Sequence, residues 1–196
     1  ASRGIGRGVA IGLGEQGATV YVTGRSTGDQ PRTIDTTARE VTEAGGNGIP
    51  VQTDHFDDDQ IAAVFAKVKK DHGHLDILVN NAVIRYFHNI DEFPREEWNH
   101  ALAVNVTAPF ILTQNVLPGM RKRRWGRIVN FSSVLGMAAR SGRADYVVSK
   151  HAMLGLTRST AAEIRDVEGI TCNAICPGSV LTPNTEKKIA ELAVKL

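Results

Sequence analysis

Cysteine is scarce in this sequence, which holds only Cys172 and Cys176. Both fall in one stretch that reads as a strand, where four residues set their Cα atoms roughly 13 Å apart, too far for a disulfide. They read as small core residues, and a reducing cytoplasm is the setting they imply. Long apolar runs are missing too, since none approaches the roughly 20 residues of a membrane span. Neither sign of charge is in excess. A net charge of +2 gives no general pull toward nucleic acid or membrane. Metal-ligand spacing is also absent: His72-Gly73-His74 fits no ligand set, and Asp57 to Asp59 suit a helix N-terminus. With 42% hydrophobic and 22% charged residues in a length of 196, a single globular domain with a sizeable core is expected. The chain opens on Ala1-Ser2-Arg3-Gly4 without an initiator methionine, and Glu186 to Leu196 reads as a helix without a cap. A piece of a longer protein, incomplete at both termini, is therefore expected.

What is present centres on Gly126 to Lys150, GRIVNFSSVLGMAARSGRADYVVSK. An apolar run from Arg127 to Phe131 reads as a buried strand that ends at Ser132-Ser133. Beyond a loop, Tyr146 and Lys150 lie four residues apart, on one face of a helix. A phenol with an ordinary pKa of about 10 is mostly protonated at neutral pH, and a nearby ammonium favours its phenolate. Such a phenol suits general acid–base work, and a serine at a strand end can hydrogen-bond a substrate oxygen whose charge changes. These groups include no metal ligand and no activated nucleophile. Reversible carbonyl–alcohol chemistry would then need a hydride from a cofactor.

The remaining segments alternate strand and helix, which argues for a parallel α/β sheet. Gly4 and Gly6 open a helix through about Gln16, where free N–H groups and the helix dipole favour an anion, although a tight turn would look the same. The strand Thr19 to Thr23 ends at Gly24-Arg25-Ser26, where a dinucleotide-binding fold meets the adenosine ribose. No acid stands there to repel a 2′-phosphate. Arg25, with Arg3, offers guanidinium donors, so NADP(H) is expected over NAD(H). A helix from Pro31 to Ala44, a strand from Gly48 to Thr53, a strand from Leu75 to Val79 and a long helix from Pro94 to about Met120 follow. Asn105 lies in that last helix. By itself it reads equally as a satisfied core amide. Arg121 to Arg124 reads as a cationic helix C-terminus rather than a nucleic-acid patch. The Tyr146 helix runs to about Arg165, and a strand from Ile170 to Ile175 ends at Cys176-Pro177-Gly178.

Ser133, thirteen residues before Tyr146, with Ser149-Lys150 behind it, resembles the active-site signature of the short-chain dehydrogenase/reductase family. The resemblance covers essentially the whole chain. It implies a Rossmann-type, doubly wound, three-layer parallel sheet whose first strand and C-terminal elements are missing here. It implies Ser133 as substrate-oxygen anchor, Tyr146 as acid/base and cofactor contact, and Lys150 as the group that lowers the tyrosine pKa and holds the nicotinamide ribose. Asn105 would be a fourth catalytic member that orients a water next to Lys150. Ser2, Arg3, Gly4, Ile5 and Gly6 resemble the end of the family's TGxxxGxG loop, at the pyrophosphate. Asp54 and His55 would flank the adenine. Asn81 and Ala82 belong to an NNAG-like turn in which Val83 replaces the glycine. Pro177, Gly178, Val180 and Thr182 resemble the PGxxxT segment, at the nicotinamide amide and pyrophosphate.

Within the family, Cys176 to Pro183 is similar to 3-hydroxybutyrate dehydrogenases, and the arginine pattern to NADPH-linked carbonyl and 3-oxoacyl reductases. The resemblance implies a small carbonyl or alcohol substrate and a homotetramer or homodimer, with no nucleic acid and no membrane as partner. From another class, a non-catalytic dinucleotide-binding regulator is the alternative, which the presence of both Tyr146 and Lys150 disfavours. A strand preceding Ala1 would lie mid-sheet, so the strands near Val20 and Val51 are expected to part from those near Leu78, Val129 and Ile175. The 196 residues alone are then expected to fold poorly.

Overall fold

Strand-forming residues and helical periods alternate along the chain, and each parallel pair is joined through a helix, as parallel strands require. A computed structural model of the chain describes residues 1–182 with Thr185 and Glu186. Beyond Glu186, the helix expected as far as Leu196 lies outside the described residues, as does Pro183. The chain divides into two units, residues 1–54 with the stretch from Gly178, and residues 55–177.

The first unit runs α1 (Gly4–Gly14), β1 (Thr19–Gly24), α2 (Ile34–Glu43) and β2 (Asn47–Gln52). β1 and β2 pair in parallel, from Thr19 opposite Asn47 to Gly24 opposite Gln52. Ala10, Val22, Ile34, Ala38 and Val41 form its core. Thr33 starts α2 by accepting a 3.2 Å hydrogen bond from the Thr36 N–H, so a threonine cap sets the helix boundary three residues after Pro31. The close seating of α2 on β2 depends on Gly48, where an added Cβ would lie 1.9 Å from the Ala38 carbonyl oxygen.

The second unit holds α3 (Asp58–His72), β3 (Ile77–Asn80), α4 (Arg95–Leu102), α5 (Ala108–Arg123), β4 (Gly126–Phe131), α6 (Ala144–Ile164) and β5 (Ile170–Ile175). Its strands run in parallel in the order β3-β4-β5, with Leu78 opposite Ile128 and Ile128 opposite Cys172. The expected parting of the strands into two groups is therefore what the described residues show. Leu78, Val116, Leu117, Met120, Ile128, Ile164 and Ile170 build the core around this sheet. Asp57 caps α3, its Oδ1 accepting from the N–H groups of Asp59 and Gln60 at 3.0 and 3.2 Å, and those bonds hold its carboxyl below the usual range. Cys176 lies one residue beyond β5 rather than within it.

One sequence expectation is refined and one needs correction. The long helix read from Pro94 is a continuous run from Arg95 to Arg123, in which a π-helical turn at Ala103–Thr107 separates α4 from α5. A wide turn of this kind is set by tertiary partners of its side chains, which periodicity does not carry. The second concerns hydropathy. The 29 residues from Arg95 to Arg123 are long and apolar enough to cross a membrane, with a mean hydropathy of 1.2 in the most apolar window. Scanning for unbroken apolar runs missed this because Asn105, Thr107 and Thr113 interrupt the segment without charging it. Val116, Leu117 and Met120 of this segment pack into the sheet core, as a core helix of the same composition would.

Candidate active site

At the carboxyl ends of β4 and β5, backbone bonds continue the pairing beyond the strands. The Ser132 N–H donates to the Ile175 carbonyl at 2.8 Å, and the Val134 N–H to the Pro177 carbonyl at 3.1 Å. Ser132 also anchors α6, its hydroxyl donating to the Lys150 carbonyl at 2.8 Å. Gly136 fits beneath this junction. A Cβ there would lie 2.4 Å from Ser132 Oγ and 2.8 Å from the Lys150 carbonyl oxygen. Gly136→Ala is therefore expected to destabilise the protein by roughly 1–3 kcal/mol, because backbone must shift to admit the methyl. A denaturant midpoint unchanged from the parent would show that the junction yields freely.

The junction places the three signature residues on one unit. Ser133 is 7% exposed and accepts from the Leu135 N–H at 3.2 Å, starting a short 3₁₀ turn, Val134–Gly136. Tyr146 is half-buried on the first turns of α6, and its hydroxyl makes no protein hydrogen bond among the described residues. Lys150, one turn later, is 4% exposed, and its ammonium lies 5.4 Å from the Tyr146 ring centre. Its Nζ donates to the Phe131 carbonyl at 2.6 Å. Burial pulls the Lys150 pKa down to about 8, opposed by the Cys176 thiol. The ammonium is thus still the main form at neutral pH.

Asn105 is 2% exposed, and its amide is already engaged. Its Nδ2 donates to the Ile84 carbonyl at 2.8 Å and to Ser149 Oγ at 3.2 Å, and its Oδ1 accepts from the Ile84 N–H at 2.9 Å. Ser149 in turn donates to the Tyr146 carbonyl at 2.9 Å. The Asn105 side chain therefore pins the segment after β3 and steadies α6, as a satisfied core amide does. Asp145 grips the same segment: it is fully buried, and its Oδ2 accepts from the Tyr86 N–H at 2.8 Å. Sequence reasoning did not single out Asp145, since an acid beside the tyrosine gives no sign of burial. It also passed over Asn130, which accepts from Asn80 Nδ2 at 2.8 Å and donates to Thr157 Oγ1 at 2.9 Å, tying β3, β4 and α6 together.

The residues expected to hold a dinucleotide divide between the units. In the first, Arg3 precedes α1 with no side-chain cap, and no acid occupies the first turn, so the N–H groups there have no carboxylate competing for them. Gly4 has φ +58°, a conformation that favours glycine, and the Thr182 methyl lies 4.0 Å from where its Cβ would be. Ser2, Ile5 and Gly6 stand in the same turn, Gly6 being buried. This cradle of uncapped donors beside a glycine suits a pyrophosphate. Arg25 Nη1 lies 3.7 Å from Asp54 Oδ2, with the arginine side chain 61% exposed. Gly178 is exposed, as is Val180. In the second unit, His55 is half-buried, Asn81 and Ala82 follow β3 directly, and Pro177 is fixed by the bond from Val134.

A short chain dehydrogenase family profile matches residues 1–193. The chain belongs to that family. Among its curated relatives, a D-beta-hydroxybutyrate dehydrogenase of Cupriavidus necator is 39% identical over 98% of this chain and 72% of its own length. A D-beta-hydroxybutyrate dehydrogenase of Rhizobium meliloti is 37% identical over 97% and 72%. A 3-oxoacyl-(acyl-carrier-protein) reductase of Staphylococcus aureus is 34% identical over 98% and 76%. Membership makes the protein an oxidoreductase that acts on CH–OH groups with NAD(P)(H).

Proposed function

We propose that this protein interconverts a carbonyl and a secondary alcohol with NADP(H), using Tyr146 as general acid and base. The observation that carries the reading is a buried, still protonated Lys150 beside an unengaged Tyr146 hydroxyl, at the carboxyl ends of β4 and β5. Ligands of open α/β sheets bind at that end of the strands. In the reductive direction the Tyr146 hydroxyl donates its proton to the carbonyl oxygen, and Lys150 supplies the positive charge that stabilises the phenolate left behind. Ser133 holds the same oxygen. When bound, the nicotinamide supplies the hydride. Residues Ser2 to Gly6, with Thr182, would hold its pyrophosphate, Asp54 and His55 its adenine, and Asn81, Ala82, Pro177, Gly178 and Val180 its nicotinamide half. Asn105 positions α6 through Ser149 and would orient a water next to Lys150, which with Tyr146 would also meet the nicotinamide ribose. We further propose one dehydrogenase domain, working as a homotetramer or homodimer in the cytoplasm.

Arg25 supports the choice of NADP(H), since a 2′-phosphate would offer it a stronger partner than the loose pair with Asp54. Arg25→Ala is expected to raise the KM for NADPH by about tenfold to a hundredfold, the worth of one charge-assisted contact, and to leave NADH nearly unaffected. The hydroxybutyrate dehydrogenases among the relatives favour a second reading, an NAD-linked dehydrogenase of 3-hydroxy acids. Oxidation of NADPH and NADH with ketones, 3-oxo acids and 3-oxoacyl thioesters separates the two. Turnover with NADH alone would remove the phosphate argument. Tight NADPH binding without turnover would favour a regulatory dinucleotide-binding protein.

A further inference from the structure

We propose that the active site takes a carbonyl substrate whose far end carries a phosphate, held by Arg85, Arg140 and Arg143. The inference rests on the oxidoreductase reading above and names the substrate class for that site. Three guanidiniums share one small region of the second unit. Arg143 lies over the Phe87 ring at 3.9 Å from its centre, and Arg85 reaches the same ring at 5.9 Å. Arg140 and Arg143 line one open surface groove with Phe87, His88 and Glu92.

None of the three arginines takes part in an ion pair among the described residues. Three carboxylates are close at hand, and none makes an ion pair with the group, although Asp145 acts favourably on Arg143. Glu92 lines the groove but meets only Asn89 Nδ2, at 3.5 Å, and Glu97 is held by His88 at 2.7 Å. Asp145 is turned inward to the Tyr86 N–H. Burial, and the repulsion of Arg85 and Arg140, hold Arg143 below the ordinary guanidine range against the attraction of Asp145 and Tyr146. With no direct ion pair on any of them among the described residues, the three guanidiniums keep their donor forks open on one surface, and that fork matches phosphate oxygens.

Position connects the cluster to the chemistry. Arg143 is the residue just before α6, three residues ahead of Tyr146, and the Tyr146 side chain acts electrostatically on it. Arg143 thus stands one helical turn from Tyr146 at the start of α6, and that adjacency is the reason to place the far end of the substrate at the arginines. Two negative charges on a phosphate balance a three-cation cluster better than the single charge of a carboxylate.

A matched series tests this: butan-2-one, 3-oxobutanoate and 3-oxobutyl phosphate, each compared by kcat/KM with the full protein. The phosphate compound is expected to exceed butan-2-one by about a hundredfold and 3-oxobutanoate by about tenfold, the worth of one or two charge-assisted contacts. Arg143→Gln and Arg140→Gln should each shrink that preference about tenfold, and Arg143→Lys should restore part of it. Calorimetry with inorganic phosphate, at saturating NADP⁺ so that the dinucleotide's own phosphate contacts are filled, gives a readout independent of turnover. Binding that weakens in both glutamine variants supports the site even if no ketone in the series reacts, an outcome that would count against the choice of ketones alone. Equal rates for carboxylate and phosphate, a preference that survives both substitutions, or no phosphate binding would overturn the proposal while leaving the oxidoreductase reading standing.

Discussion

Tyr146→Phe is expected to reduce turnover by about 10²–10⁴-fold while leaving the folded protein as stable as the parent, within about 0.5 kcal/mol. The two halves of this expectation have separate causes. Removing a buried hydroxyl normally leaves its partners unpaired, at a cost of about 1–3 kcal/mol. The Tyr146 hydroxyl makes no protein hydrogen bond among the described residues, so its loss strands no neighbour. The ring stays to pack beside Lys150, whose ammonium keeps its bond to the Phe131 carbonyl. Only the transferable proton disappears. Dinucleotide binding is expected to survive at reduced strength, because the uncapped donors around Gly4 and the buried Lys150 are left in place. Parallel measurement of turnover, dinucleotide affinity and urea midpoint checks all three. A variant within tenfold of parental turnover would rule out the phenol as acid/base and pass the role to a group not yet assigned.

How much of this was legible in the sequence depends on how local the determinant is. The pairing of Tyr146 with Lys150 follows from helical periodicity alone, and the place of Ser133 from an apolar run that must end. The strands were equally local. β5 spans Ile170 to Ile175 as the apolar stretch indicates, and the boundaries of α2 shift only because Thr33, not Pro31, supplies the cap. Determinants that act across the fold were not legible. Asn105 reads as polar in an apolar helix, but its bonding to Ile84 depends on how a turn twenty-one residues away is placed. The π-helical turn around it has the same origin. Asp145 and Asn130 look like surface residues until the packing of α6 buries them. The arginine cluster joins residues 85, 140 and 143 from two loops, a proximity that no window of sequence displays.

Lys150→Met is expected to abolish turnover, by at least about 10²-fold, and to flatten the dependence of stability on pH above neutrality. Burial holds the Lys150 pKa at about 8 in the folded protein, against an ordinary value of 10.5. A depressed lysine pKa means that the fold disfavours the ammonium. Below pH 8 the group is protonated whether the chain is folded or not, and the penalty is complete. Between about 8 and 10.5 the folded state gives up its proton while the unfolded state keeps it, so stability climbs as pH rises. The full climb is about 3 kcal/mol, from 1.36 kcal/mol per pKa unit. Other groups titrate in this range, so the difference between parent and variant isolates Lys150. The penalty persists at the working pH, where the protein is less stable for carrying the charge, which is what a residue kept for chemistry rather than folding should show. The same titration gives the parent a reductive kcat/KM that falls above pH 8, as the cation stabilising the phenolate is lost. If the slope of stability survives in the methionine variant, the titration belongs to another group. The fall in rate would then need a different source, with Cys176, whose thiol opposes the Lys150 shift, the first to substitute.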